Sequence, residues 1–139
     1  MLKKNILIYG ATGSIGESTL NLIRDNKEKF NIVGLTCNEN IHKAIKIANE
    51  FDCKDIGIGN VELISQHKEE LINFRVYEGI EEFYSLVDGK NVDIIIFAIS
   101  GTSPLELLMQ LALSGKVIGL ANKECIICLG RLFLDKANA

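Results

Sequence analysis

The chain has 139 residues, of which 47% are hydrophobic, which is enough for one domain around one core. Its formal net charge of -3 is spread without a basic stripe, which argues against nucleic acid as the main partner. The longest apolar runs, such as Ile94–Ile99, are too short to span a bilayer. The four cysteines are typical of reduced thiols, and a strand predicted from Asn5 leaves no room for a signal peptide, so we expect a cytoplasmic location.

Short apolar runs alternate along the chain with longer segments of helical spacing. Strands are predicted at Asn5–Tyr9, Asn31–Thr36, Asp55–Ile58, Arg75–Tyr77, Asp93–Ile99 and Val117–Leu120. Helices are predicted at Ser18–Lys29, His42–Phe51, Val61–Phe74, Glu81–Val87, Pro104–Ser114 and Glu124–Ala137. Nearly continuous apolar strands separated by helices indicate an α/β fold of Rossmann type, a doubly wound, mostly parallel sheet with helices on both faces. We expect residues 1–139 to form a single domain of this kind.

A glycine-rich loop, Gly10-Ala-Thr-Gly-Ser-Ile-Gly16, joins the first predicted strand to the first helix. Glycines there allow a tight turn and let the backbone approach a pyrophosphate, while N–H groups at the helix N-terminus face the anion. The spacing is G-x-x-G-x-x-G rather than the commoner G-x-G-x-x-G, and Glu17 replaces the lysine that a nucleoside triphosphatase loop requires. The pattern favours dinucleotide binding, and the alternative is a tight turn without a ligand.

The end of the second predicted strand usually distinguishes NAD from NADP. In Gly34–Ile41, Glu39 lies just beyond the strand, where an acidic residue favours the ribose 2′-hydroxyl of NAD. Lys43 and Lys46 follow on the next helix and can attract a 2′-phosphate. Alternatively, Asn38 caps this helix and Glu39 only complements its dipole. These residues leave the choice of cofactor open.

Three polar residues follow the last predicted strand, at the edge where a ligand crevice forms in such folds. Asn122 and Glu124 can hydrogen-bond ribose or amide groups, and Lys123 can attract a phosphorylated substrate. The alternative is an asparagine cap followed by a solvated helix turn.

The segments GATGSIGESTLNLI (residues 10–23) and ANKECIICLGRLF (residues 121–133) together resemble the two signatures of the 1-deoxy-D-xylulose 5-phosphate reductoisomerase family. The resemblance covers essentially the whole chain. Members of that family rearrange and reduce a phosphorylated ketose to 2-C-methyl-D-erythritol 4-phosphate, in the non-mevalonate route to isoprenoids, with NADPH and Mg²⁺ or Mn²⁺.

The resemblance also implies roles for individual residues. Those implied to contact the NADPH phosphates are Thr12, Gly13, Ser14 and Ile15. Those implied to meet the adenosine ribose and its 2′-phosphate are Asn38, Glu39 and Asn40. Asn122 and Glu124 are implied beside the nicotinamide half, and Lys123 at the sugar phosphate substrate.

Several positions depart from the family pattern. Ala11 and Cys125 each stand where serine is usual, and Pro104 stands where glycine is usual, at a first helical position that tolerates proline. Glu39 stands where a basic or neutral residue is commoner, which weakens the expected preference for NADPH. The family's metal-holding acidic residues lie in a following catalytic domain. We therefore expect an N-terminal fragment that binds NADPH but has no catalytic or metal site, with a homodimer of the full-length enzyme left open.

Three other interpretations are weighed against this one. Extended short-chain reductases need a Tyr-x-x-x-Lys pair, which no tyrosine in this chain provides. Semialdehyde dehydrogenases need a catalytic cysteine further along, and a nucleotide-sensing module without catalysis stays open. Cys125 and Cys128 lack the further ligands of a metal site, so we expect them to pack a helix, and the alternative is a redox motif. His42 and His67 are expected to be isolated surface histidines.

Overall fold

The computed structural model describes residues 3–86, 92–98 and 117–120. Its sheet has six strands, which are β1 (Lys4–Tyr9), β2 (Phe30–Cys37), β3 (Asp55–Ile58), β4 (Arg75–Glu78), β5 (Ile94–Phe97) and β6 (Val117–Leu120). The α-helices whose bounds lie within the described residues are α1 (Ser14–Arg24), α2 (Ile41–Glu50) and α3 (Ile80–Phe83). No helix in the described part of the chain has the length and apolar character that a membrane crossing requires.

The strand order is β4-β3-β2-β1-β5-β6, and every neighbouring pair is parallel. The chain therefore builds outward from β1 in one direction through β4 and then returns to the other side of β1 with β5. This reversal confirms the predicted doubly wound fold. In such sheets the ligand crevice lies beyond the carboxyl ends of the strands at the reversal, which here are the ends of β1 and β5.

Helices cover both faces of the sheet. On one face, Leu20 of α1 and Ala44 of α2 pack in a single buried cluster with Ile8 and Leu35 of the strands. On the other face, the fully buried ring of Phe83 from α3 lies edge-on to Tyr9, with ring centroids 5.3 Å apart. Because successive strand residues point to opposite faces, the strands are apolar almost throughout, as the sequence predicts.

Glycines in two strands make room for Phe83. A Cβ atom on Gly34 would lie 2.9 Å from its ring, and one on Gly57 would lie 2.8 Å from it. Both distances are too short for real atoms, so only glycine lets the ring approach the sheet this closely. The short α3 is thereby held against β2 and β3.

The first helix differs from its predicted range, Ser18–Lys29. It begins at Ser14, since the glycine loop continues directly into it, and it ends at Arg24. The polar run between Arg24 and Phe30 has no apolar side chain to bury, and its backbone forms turns in which Lys29 N–H donates to the carbonyl of Asn26. Helices depend on packing of an apolar face, which this run lacks.

The predicted helix Val61–Phe74 is wrong. The structure has two short 3₁₀ helices there, Val61–Leu63 and Ser65–His67, followed by turns. Of its apolar side chains only Leu71 is fully buried, and Leu63, Ile64 and Phe74 pack only partly against the core. Ile72 is 79% exposed, so the segment buries too little apolar surface to stabilise a regular helix. The helix predicted at Glu81–Val87 corresponds only in part to α3, which begins at Ile80 and ends at Phe83, before turns at Tyr84 and Ser85. Val87 lies outside the described residues. The predictions Pro104–Ser114 and Glu124–Ala137 lie outside the described residues.

Candidate functional site

The glycine loop leaves β1 at the point where the sheet reverses. Gly10 has φ 85°, a left-handed conformation that favours glycine. Its N–H donates to Thr36 Oγ1 at 2.9 Å, and the N–H of Ala11 donates to the Thr36 carbonyl at 2.9 Å. Thr36 is buried near the end of β2, so two hydrogen bonds hold the start of the loop against the neighbouring strand.

The other two glycines have different roles. A Cβ atom on Gly16 would lie 2.4 Å from the carbonyl oxygen of Gly10 and 2.7 Å from that of Ala11, so the first turn of α1 packs directly on the loop. A Cβ atom on Gly13 would meet nothing within 4 Å. Gly13 is thus not required for packing, and the space beside it is open to a ligand.

Gly13 is also the N-cap of α1, where it provides no side-chain acceptor for the N–H groups of the first turn. Unpaired N–H groups and the positive end of the helix dipole attract an anion. Thr12 is half-buried and Ser14 is exposed, so a hydroxyl-bearing residue stands on each side of Gly13 in the chain. Backbone and side chains together suit a phosphate or diphosphate group.

Lys43 connects this loop to α2. Its Nζ donates to the carbonyl of Thr12 at 3.0 Å and lies 3.3 Å from Glu17 Oε2. The ammonium group therefore offsets the carboxylate of Glu17, which stands in the first turn of α1 close to the opening. The sequence suggests Lys43 as a 2′-phosphate ligand. It does not reveal that Lys43 contacts the glycine loop.

Residues 38–40 follow β2 and are all exposed. Asn40 caps α2, since its Oδ1 accepts from the N–H of Lys43 at 3.2 Å, so the alternative that Asn38 is the cap is wrong. The Asn38 carbonyl instead accepts from the N–H of Asn60 at 3.0 Å. Glu39 lies exposed between these two asparagines, at the edge of the sheet that also carries the glycine loop.

The remaining predicted site residues are Ile15 and the three polar residues that follow β6. The side chain of Ile15, and all of Asn122, Lys123 and Glu124, lie outside the described part of the structure. The backbone of β6 is described, and it runs parallel to β5 as far as Leu120. Because parallel strands end at one edge, the chain leaves β6 at the edge that carries the glycine loop.

Thr36 is a residue that the sequence pattern alone did not single out. A polar residue near the end of an apolar strand is the feature that marks it, because a buried hydroxyl requires a hydrogen-bond partner. Its partner, Gly10, is 26 positions away in the chain. The pairing becomes visible only when β1 and β2 are placed side by side.

Comparison with known proteins identifies the family to which this chain is similar. The family model described as 1-deoxy-D-xylulose 5-phosphate reductoisomerase matches residues 6–130. A reductoisomerase of that name from Clostridium perfringens is 35% identical over 138 residues, which are 96% of this chain and 36% of that protein.

Solved structures of reductoisomerases are similar as well. The enzyme from Zymomonas mobilis in complex with NADPH has 30% identity and a TM-score of 0.84, over 99% of this chain and 36% of that one. A reductoisomerase in complex with NADPH, fosmidomycin and magnesium has 30% identity and a TM-score of 0.86, over 97% of this chain and 34% of that one. This chain thus spans 34–36% of the length of these relatives. With the fold, the glycine loop and a family match over residues 6–130, the chain belongs to the 1-deoxy-D-xylulose 5-phosphate reductoisomerase family.

Proposed function

We propose that residues 1–139 form the NADPH-binding domain of a 1-deoxy-D-xylulose 5-phosphate reductoisomerase. The observation that carries the proposal is the opening at Gly13, where the uncapped N-terminus of α1 meets the carboxyl edge of the sheet. A dinucleotide diphosphate satisfies the N–H groups there, and two of the similar structures are complexes with NADPH. When bound, NADPH supplies the hydride for reduction.

Different residues of this chain contact different parts of the cofactor. Thr12, Gly13, Ser14 and Ile15 bind the diphosphate, with Lys43 holding the loop and offsetting the charge of Glu17. The opening follows β1, whereas residues 38–40 follow β2, the neighbouring strand. A dinucleotide whose diphosphate lies at the opening extends its adenosine ribose toward Asn38, Glu39 and Asn40.

The other half of the cofactor and the substrate involve the segment after β6. We propose that Asn122 and Glu124 contact the nicotinamide half and that Lys123 contacts the sugar phosphate, by similarity to the family motif that contains these residues. The magnesium or manganese ion and the catalytic carboxylates are proposed for the rest of the longer enzyme, for which we propose a cytoplasmic location and leave the homodimer open.

Calorimetric titration with NADPH tests the binding proposal. We expect saturable binding to the wild-type chain and its loss in Gly13→Val, because the added side chain occupies the open space without touching the protein within 4 Å of its Cβ. Leu22→Ala is a matched control on the same helix, at a residue that is 67% exposed and distant from the loop. Equal affinity in wild type and Gly13→Val refutes the assignment of the loop, provided that both unfold at similar temperatures.

Turnover by residues 1–139 alone is a separate test. We expect no substrate-dependent oxidation of NADPH with 1-deoxy-D-xylulose 5-phosphate and Mn²⁺, since the relatives that carry this name are about three times as long. NADPH oxidation that depends on substrate and exceeds a protein-free control contradicts the proposal that the catalytic carboxylates and the metal ion belong to the rest of the longer enzyme.

A further inference from the structure

Three side chains of types that can bind a metal ion meet on the surface between α2 and the segment 61–74. His42 lies in the first turn of α2, and His67 and Glu70 lie in the segment. One ligand atom from each side chain lies within 4.8 Å of the other two. The expectation that the two histidines are isolated is wrong, because their rings stack edge to face with centroids 5.3 Å apart.

The orientation of His67 leaves one ring nitrogen available. Its Nδ1 lies 2.9 Å from the carbonyl oxygen of Leu63. A carbonyl oxygen only accepts, so Nδ1 carries the proton and Nε2 keeps a free lone pair. Histidines that bind metals in proteins are held in the same way, with the second nitrogen donating to a carbonyl or carboxylate.

His42 and Glu70 complete the set. The His42 Nδ1 lies 3.0 Å from Glu70 Oε2, so without a metal the imidazole N–H donates to the carboxylate. A metal ion bonds both atoms once the Nδ1 proton has left to solvent or moved to Nε2. Ligand atoms around tetrahedral zinc lie about 3.3 Å apart, and the side chains of His42 and Glu70 are 73% and 41% exposed, which leaves them free to close the remaining distance.

We propose that His42, His67 and Glu70 bind a divalent transition-metal ion of the zinc type, with water in the fourth position. Two imidazoles and one carboxylate form a set that zinc accepts, while magnesium prefers oxygen ligands only. The metal links the segment 61–74, of which only Leu71 is fully buried, to the helix whose Lys43 contacts the glycine loop. This site does not depend on NADPH binding.

Titration of the metal-free, tag-free chain with Zn²⁺, and with Co²⁺ for its absorption spectrum, tests the proposal. All proteins carry Cys125→Ser and Cys128→Ser, which removes the Cys-x-x-Cys pair as a source of thiolate ligands. We expect one bound ion per chain, a cobalt spectrum without thiolate bands, and no competition from excess Mg²⁺. Zinc should also raise the unfolding temperature of the chain.

Single substitutions decide whether these residues are the ligands. His42→Ala, His67→Ala and Glu70→Gln should each weaken zinc binding by more than the roughly 10- to 100-fold that loss of an outer partner costs. Glu69→Gln, which removes the neighbouring exposed carboxylate, should bind like the parent. His42 and Glu70 are exposed, so their variants should fold normally and decide the question even if His67→Ala does not fold. Absence of saturable binding, or full affinity in the His42 and Glu70 variants, overturns the proposal.

Discussion

Alanine at Gly16 should destabilise the fold through one identifiable contact. Its Cβ would lie 2.4 Å and 2.7 Å from two carbonyl oxygens and 2.8 Å from a carbonyl carbon of the loop, all backbone atoms that no side-chain rotation can move. Overpacking of this kind costs about 1–3 kcal/mol, and the higher helix propensity of alanine offsets about 1 kcal/mol of it. Because the contact is with rigid backbone, we expect a net loss near the upper end, about 2 kcal/mol.

Gly13→Ala is the matched comparison for this substitution. Gly13 has φ -81° and ψ 175°, which alanine adopts without strain, and its added Cβ meets nothing within 4 Å. We expect a loss of stability below about 1 kcal/mol, from the poorer N-cap alone. Urea unfolding of both variants gives the two free energies. A Gly16→Ala variant as stable as wild type, or a Gly13→Ala variant equally damaged, refutes the account of the loop.

Three further predictions concern charge and burial. Glu39→Lys should tighten NADPH binding by about fivefold and leave the affinity for NADH unchanged or weaker, since an exposed like-charge contact costs on the order of 1 kcal/mol. Calorimetry that finds unchanged affinity for both cofactors places Glu39 away from the ribose. Asp55→Ala should lower the free energy of unfolding by about 1–3 kcal/mol, because the buried carboxylate accepts from Arg75 Nε at 2.7 Å and Tyr77 Oη at 2.9 Å. A free energy of unfolding in urea that equals that of wild type contradicts this. Burial raises the pKa of the Cys37 thiol from 9.0 to about 11, so its contribution to stability is complete below pH 9 and is lost as the pH rises through about 11. Cys37→Ala should flatten that alkaline loss in urea titrations, and an identical pH profile would show that the thiol does not titrate as described.

The sheet was predictable because burial on two faces leaves a direct mark on the sequence. Strands covered on both sides are apolar at nearly every position, and the glycine loop identifies β1 and the start of α1. The segment Val61–Phe74 was not predictable in the same way. Its apolar spacing is typical of a helix, but only Leu71 is fully buried, and Leu63, Ile64 and Phe74 pack only partly against the core. How deeply such side chains reach depends on the sheet beneath them.

The glycine loop was predicted as the core of the site, whereas its supports were not. Thr36 and Lys43 touch the loop from positions 26 and 31 residues away in the chain. Contacts of this kind depend on the order of strands and the placement of α2, which periodicity does not encode. The contact between His42 and His67 was not predictable for the same reason. Neither histidine lies in a sequence motif, and their contact depends on the irregular path of the segment 61–74.

Backbone NMR of the isotope-labelled chain during titration with NADPH and NADH tests the central claim most directly. If the N-terminus of α1 binds the diphosphate, both cofactors should shift the amide resonances of residues 12–16, whose N–H groups surround the opening. The difference between the two cofactors should concentrate at residues 38–40. Saturable binding that leaves the amides of residues 12–16 unshifted would contradict the assignment of the glycine loop as the cofactor site.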